Sequence, residues 1–136
     1  NSAIPDCWTY ITNNAAYPEP TYYGNGGLKL NYENMGITSR EFNPQSNIKV
    51  TIKINAFNAN QKTSAASPDV FTVKVYNAGG SVVGTGTLAS VQAGDNIVNL
   101  TGTDIVKIDV VMTGFPNIGG TYQNVNLGGV TVETNN

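Results

Sequence analysis

The chain reads as an all-β protein built as an antiparallel β-sandwich, and three observations carry that expectation. Apolar and polar residues alternate over long stretches. Ile48, Val50, Ile52, Ile54 and Ala56 share one face while Lys49, Thr51, Lys53 and Asn55 share the other, the period of two that a half-buried strand requires. Gly, Asn and Pro cluster between such stretches, where turns need them. No window sustains a helical period, and many short strands closed by such turns favour packed antiparallel sheets over a parallel one. At 136 residues the chain is expected to be one domain, 1–136, able to bury a core without covalent staples.

About nine strands are expected, at 7–12, 27–33, 37–42, 47–57, 70–77, 81–88, 96–100, 104–113 and 125–133. The first carries Trp8 and Tyr10 on one side. The second follows the turn Gly24-Asn25-Gly26-Gly27 and lines up Leu28, Leu30 and Tyr32. The third ends at Phe42, before Asn43-Pro44, where proline withholds a ladder donor. The fourth is the alternating run that includes Ile48. Phe71, Val73 and Val75 form the inward row of the fifth, and Asn77-Ala78-Gly79-Gly80 joins it to the sixth as a hairpin. Ala93-Gly94-Asp95 introduces the seventh, and the eighth aligns Val106, Ile108, Val110 and Met112. After the turns Gly114-Phe115-Pro116-Asn117 and Gly119-Gly120, the ninth closes the core with Val130 and Val132. Two inner faces of this kind pack about 10 Å apart. Residues 58–68 are small and polar and read as a long exposed loop: a lid, a cleft rim or a connection.

Composition narrows the function. Charged residues make up 12% of the chain, about half the usual share, so Gly, Asn, Thr and Ser carry the surface. Uncharged amides and hydroxyls suit neutral ligands such as sugars and are common on secreted proteins. A net charge of −2 with scattered Lys and Arg argues against nucleic acid, which needs a basic stripe. No stretch approaches the ~20 apolar residues of a membrane span, and no signal peptide is visible, so export is inferred from composition. Cys7 is the sole cysteine. It forms no disulfide within the chain and no cysteine metal site, and beside Trp8 it reads as a small buried hydrophobe.

The order Pro5-Asp6-Cys7-Trp8-Thr9, Tyr17-Pro18, Gly27-Leu28-Lys29-Leu30, a strand ending in Phe42, and Ile48-Lys49-Val50-Thr51-Ile52 resembles the jelly-roll modules of secreted bacterial proteins. These include cleaved-adhesin-like domains and many carbohydrate-binding modules. Residues 71–76, 104–111 and the closing Asn126-Leu127-Gly128-Gly129-Val130-Thr131-Val132 fit the same group. The resemblance implies a jelly roll and speaks to fold more than to ligand. In such modules the closing strand often opens with an aspartate of a structural calcium site, where this chain has Gly128-Gly129. Asp6, Glu19, Asp69, Asp95, Asp104, Asp109 and Glu133 remain as oxygen donors, so structural Ca2+ stays open as a cofactor while its ligands stay unassigned.

Catalytic constellations are lacking. The sequence holds no histidine, hence no Ser-His-Asp or Cys-His arrangement and no histidine-bound zinc, and it contains no phosphate loop. A glycosidase needs two carboxylates about 5 to 10 Å apart. Glu33 and Glu41 are the best-placed pair and read more simply as solvated side chains. Asp109, on the face opposite Val110, either is exposed or pairs with Lys107. The chain is therefore expected not to be an enzyme.

Aromatic residues are the stronger signal, because sugar C–H faces stack on rings while amides and carboxylates bond the hydroxyls. The candidates are Tyr22 and Tyr23 before the glycine turn, Phe57 and Tyr76 on polar strand faces, Phe115 and Tyr122 flanking the 114–120 loop, and Trp8. Trp8 is either the strongest stacking platform or, as the resemblance favours, a core plug that Tyr10 shares. The resulting expectation is a secreted, non-catalytic carbohydrate-binding module for plant cell-wall polysaccharide of β-glucan, xyloglucan or xylan type, tethered to a glycoside hydrolase. The alternative is a bacterial surface adhesin or structural domain that contacts protein or glycoprotein.

Overall fold

A computed structural model describes residues 4, 7–24 and 26–135; Asp6 and Asn25, named above as a donor and a turn residue, lie outside them. Ten strands follow one another: β1 (Thr9–Thr12), β2 (Leu28–Leu30), β3 (Met35–Thr38), β4 (Gln45–Ala59), β5 (Phe71–Tyr76), β6 (Val82–Leu88), β7 (Gly94–Ile105), β8 (Lys107–Met112), β9 (Asn117–Ile118) and β10 (Thr121–Thr134). One antiparallel sheet runs β1-β3-β8-β5-β6, and the other runs β2-β10-β4-β7 with β9 paired to β10. The architecture is a β-sandwich, as alternation and turn spacing predict.

Each of the nine expected strands is present with shifted ends. The third begins earlier, at Met35, because Asn34 takes a positive φ of 67° and donates its N–H to Met112 O at 2.7 Å. Its ladder stops at Thr38, but single bonds from Ser39 N to Ile108 O and from Phe42 N to Val106 O keep the chain alongside β8. Asp104, with φ 56°, turns the corner at the end of β7, so β8 starts three residues later than expected, at Lys107. Sequence reading missed β9, a two-residue strand that faces Thr121 and Tyr122 across Gly119 and Gly120.

Inward residues of both sheets make the core. Ile37, Val73, Val75, Ile108, Val110 and Met112 come from one sheet and Leu28, Leu30, Ile48, Val50, Ile52 and Leu127 from the other, all at 0% exposure. Each such side chain contributes about 1.5–3 kcal/mol on burial. Two buried polar side chains are tied to backbone by hydrogen bonds. Ser39 Oγ accepts from Ile108 N at 3.0 Å. The Asn96 amide accepts from Gln92 N and donates to the carbonyls of Gln92, Gly94 and Ile52, tying the 89–94 turn to β4.

A pair of compensating bulges changes which face the second half of β4 presents. Leu127 pairs with Ile54 and Asn126 with Ala56, leaving Asn55 extra, while Gly129 pairs with Lys53 and leaves Gly128 extra on β10. One extra residue inverts the alternation beyond it. Ala56, expected inward, is consequently exposed, and Phe57, expected on the polar face, packs against the core opposite Val125. At Gly128 a Cβ would stand 2.3 Å from Asn55 Oδ1, so any larger residue there displaces the Asn55 side chain.

Gly36 sits between Ile11 of β1 and Val111 of β8, and a Cβ on it would lie 2.0 Å from the Val110 carbonyl oxygen. Gly36→Ala is expected to destabilise the fold by about 1–3 kcal/mol. Gly79→Ala, whose Cβ would meet only Asn77 Oδ1 at 3.4 Å, should stay within about 0.5 kcal/mol. Urea unfolding midpoints measure both, and equal midpoints would contradict the close approach at Gly36.

Candidate functional site on the outer face of the β1-β3-β8-β5-β6 sheet

The expected aromatic residues do not form one platform. Phe115 is 3% exposed and meets Tyr32 edge-on with centroids 6.4 Å apart, so it is a core residue and offers no face to a ligand. The N–H groups of Thr113 and Gly114 both bond Val70 O, which turns the loop inward. Trp8, Tyr10, Tyr22, Phe57 and Tyr122 are half-buried and pack on the core. Tyr22 is bridged to Leu28. Tyr23 has Lys29 Nζ 5.0 Å from its ring centroid, its hydroxyl is buried without a hydrogen-bond partner, and that burial raises its phenol pKa. Tyr76 is the one candidate that stands on an outward sheet face with its polar strand neighbours.

Register explains what surrounds Tyr76. Along β8 the inward Ile108, Val110 and Met112 alternate with Lys107, Asp109 and Val111, which therefore face out. Across the sheet, Asp109 lies between Thr38 and Lys74, Val111 between Gly36 and Thr72, and Lys107 beside Tyr76. Ile11 faces Gly36 from β1. With no side chain at Gly36, the centre of the sheet is depressed. Two hollows of about 510 and 360 Å3 adjoin there, sharing Ile11, Asn13, Asn34, Asp109 and Val111. A third of about 260 Å3, lined by Glu41, Tyr76, Lys107 and Asp109, continues past Tyr76. Together they form a trough that crosses the strands.

The chemistry of the trough centres on Asp109. Tyr76 donates its hydroxyl to Asp109 Oδ2 at 2.8 Å, and Lys107 Nζ stands 5.6 Å from the Tyr76 centroid. Burial, then the hydrogen bond and charge of Asp109, push the Tyr76 phenol pKa up to about 12, so the hydroxyl remains a donor at any physiological pH. Asp109 Oδ1 is buried without a hydrogen-bond partner, and no ion pair joins Asp109 to Lys107 or Lys74 among the described residues. An unsatisfied buried acceptor costs about 1–3 kcal/mol, which a donor entering the trough would recover. Thr72 and Thr113 add a hydroxyl pair 3.0 Å apart, with Thr113 also bonded to Asp69 O. Lys74 is exposed at the rim. Sequence reading placed Asp109 on the outer face but did not connect it with Tyr76; their shared outward parity on β5 and β8 was the available signal.

Other expectations resolve differently. Glu33, read as solvated, is 7% exposed and pairs with Lys62 at 3.6 Å. Lys62 also donates to Tyr32 Oη at 3.1 Å and lies 4.3 Å from that ring's centroid, which fastens the start of the 60–69 loop. Glu41, by contrast, faces the hollow beside Tyr76. Cys7, expected to be buried, is exposed because it occupies a turn with φ 69°, and its Sγ lies 3.8 Å from an Arg40 guanidinium nitrogen. Among the described residues no three acidic or cysteine side chains cluster as metal ligands. A larger hollow of about 580 Å3 runs along β10 beside Trp8 and Phe42, with Arg40 and Glu133 also in its lining; none of the other expected aromatic residues lines it. Compared with known proteins, the chain matches no family model, no curated protein and no solved structure.

Two measurements check these placements. Phe115→Ala is expected to cost about 3–5 kcal/mol of stability by urea unfolding, the loss of a core residue. Asp109→Asn removes two of the three causes that raise Tyr76, so the phenol should ionise nearer to pH 10 while staying above it through burial. Ultraviolet titration of tyrosinate reads the shift, and an unmoved Tyr76 would refute the Tyr76–Asp109 bond.

Proposed function

We propose that the chain is a non-catalytic carbohydrate-binding module of jelly-roll type that holds a neutral, extended polysaccharide in the trough across the β1-β3-β8-β5-β6 sheet. The observation that carries this reading is the Tyr76–Asp109 pair, an aromatic ring with a carboxylate whose second oxygen lacks a donor. A sugar supplies both complements at once: C–H faces for the ring and hydroxyls for the carboxylate and the Thr72–Thr113 pair. A hydroxyl on a charged acceptor contributes about 1.5–3 kcal/mol, and the ring adds about 0.5–1.5 kcal/mol if stacked.

Other features support a neutral chain over a charged one. Lys74 and Lys107 share the trough with Asp109 and Glu41, so the site presents no single sign of charge. The trough opens across several strands instead of closing around an end, which suits a polymer segment. β-Glucan, xyloglucan and xylan are the ligand class of this shape and neutrality. The biological setting we propose is a secreted bacterial protein in which this domain keeps an attached glycoside hydrolase near its substrate. In this reading the domain is non-catalytic, and the trough's carboxylates, Asp109 and Glu41, serve as hydrogen-bond acceptors.

Affinity electrophoresis on gels containing xyloglucan, xylan or mixed-linkage β-glucan tests the proposal. Retardation is expected on at least one of them, and Tyr76→Ala should weaken it about ten-fold, equivalent to about 1.4 kcal/mol. Asp109→Asn should weaken it similarly, and the double variant should lose less than the sum because the two groups are bonded. Release of reducing sugar by the isolated domain, or migration unaffected on every polysaccharide, would overturn the proposal.

A further inference from the structure

Strand β10 is paired along its length on one side only. On the β4 side its ladder runs from Gln123 to Thr134, but on the other side β2 covers only Val125, Asn126 and Leu127. Beyond that point residues 130–134 have no ladder partner on this side among the described residues. A strand edge left this way displays alternating N–H and C=O groups that only another extended backbone can satisfy as a row.

The open edge does not face bulk solvent alone. It forms one bank of the hollow of about 580 Å3, whose other bank holds Trp8, Arg40 and Phe42. Trp8, Phe42 and Val132 are half-buried apolar groups in its lining, a surface for the side chains that project to one face from every second residue of an extended segment. The rim charges differ in availability. Glu133 already faces Lys49 at 3.9 Å, whereas Arg40 is exposed and makes no ion pair among the described residues. Its only described side-chain contact is the weak one to Cys7 Sγ at 3.8 Å.

We infer that this groove is a polypeptide-docking site, in which an extended segment with apolar residues at alternate positions and one acidic residue adds to the β10 edge. Main-chain bonds to residues 130–134 supply the affinity, Trp8 and Phe42 on the opposite bank select the apolar side chains, and Arg40 sets the acidic position. The site shares no lining residue with the glycan trough, so the two stand or fall separately.

The probe is the capped peptide acetyl-Val-Thr-Val-Asp-Val-Thr-amide, titrated into the intact domain. Trp8 is the sole tryptophan, so its fluorescence reports the groove directly, and amide resonances of residues 130–134 report the edge. A saturable change in Trp8 emission with shifts at those amides is expected. Arg40→Glu should weaken binding about ten-fold, and a peptide with Lys in place of Asp should restore it. Methylating alternate peptide nitrogens on the pairing edge should abolish binding. The inference is overturned by unchanged Trp8 emission, by binding indifferent to N-methylation or to the charge exchange, or by shifts confined to the Tyr76 face. It is equally overturned if the same amides shift with protein concentration alone, because a second copy would then be the occupant.

Discussion

The alternation of β8 between β3 and β5 is the constraint on which both the core and the trough depend. Ile108, Val110 and Met112 point inward at 0% exposure, and Lys107, Asp109 and Val111 point outward from the same six-residue strand. A slip of one residue would drive a carboxylate and an ammonium into the core and bring three apolar side chains to the surface. Burying those charges unpaired costs far more than the few kcal/mol by which a domain is stable. The register of β8 is thus strongly held, and with it the position of Asp109 opposite Lys74 and one row from Tyr76. The layout of that face comes with the fold, since the pairing that seals the interior also sets the exterior.

Much of this was legible in the residues. Period-two runs such as 48–54 and 70–76 marked strands because one face of each is buried in full, and the Asn77-Ala78-Gly79-Gly80 hairpin was readable from its turn chemistry. Errors arose where a local irregularity reversed a face. Phe57 lies beyond the Asn55 bulge, and nothing in the run from Lys49 to Asn58 announces an inserted residue; the paired insertion at Gly128 lies over seventy positions away. Phe115 sits in a glycine- and proline-rich loop that composition reads as exposed, yet Val70 O holds the backbone of residues 113 and 114 inward. Glu33 was invisible as a buried acid because its partner, Lys62, comes from a distant loop. Long-range contacts decided each of these cases.

The molecule also distributes its polar groups unevenly. Inside, Ser39 and Asn96 are bonded to neighbouring backbone, and they lock β3 to β8 and the 89–94 turn to β4. On the outer face Asp109 is left with one oxygen unbonded, while Tyr76 donates to its other oxygen and Thr72 and Thr113 bond each other. Three described side-chain atoms are buried without a partner, Tyr23 Oη, Asn31 Oδ1 and Asp109 Oδ1, and the one on Asp109 lines the trough, where a donor on a ligand can complete it.

The central claim is that a glycan enters the trough and donates to Asp109 beside the Tyr76 ring. The most direct measurement is an amide-resonance titration of the domain with a soluble xyloglucan or xylan oligosaccharide. The account predicts saturable shifts grouped at Thr72, Lys74, Tyr76, Asp109 and Val111, with the Tyr76 ring protons moving as well. Saturable shifts grouped on the β2-β10-β4-β7 sheet, with the Tyr76 face unmoved, would contradict it.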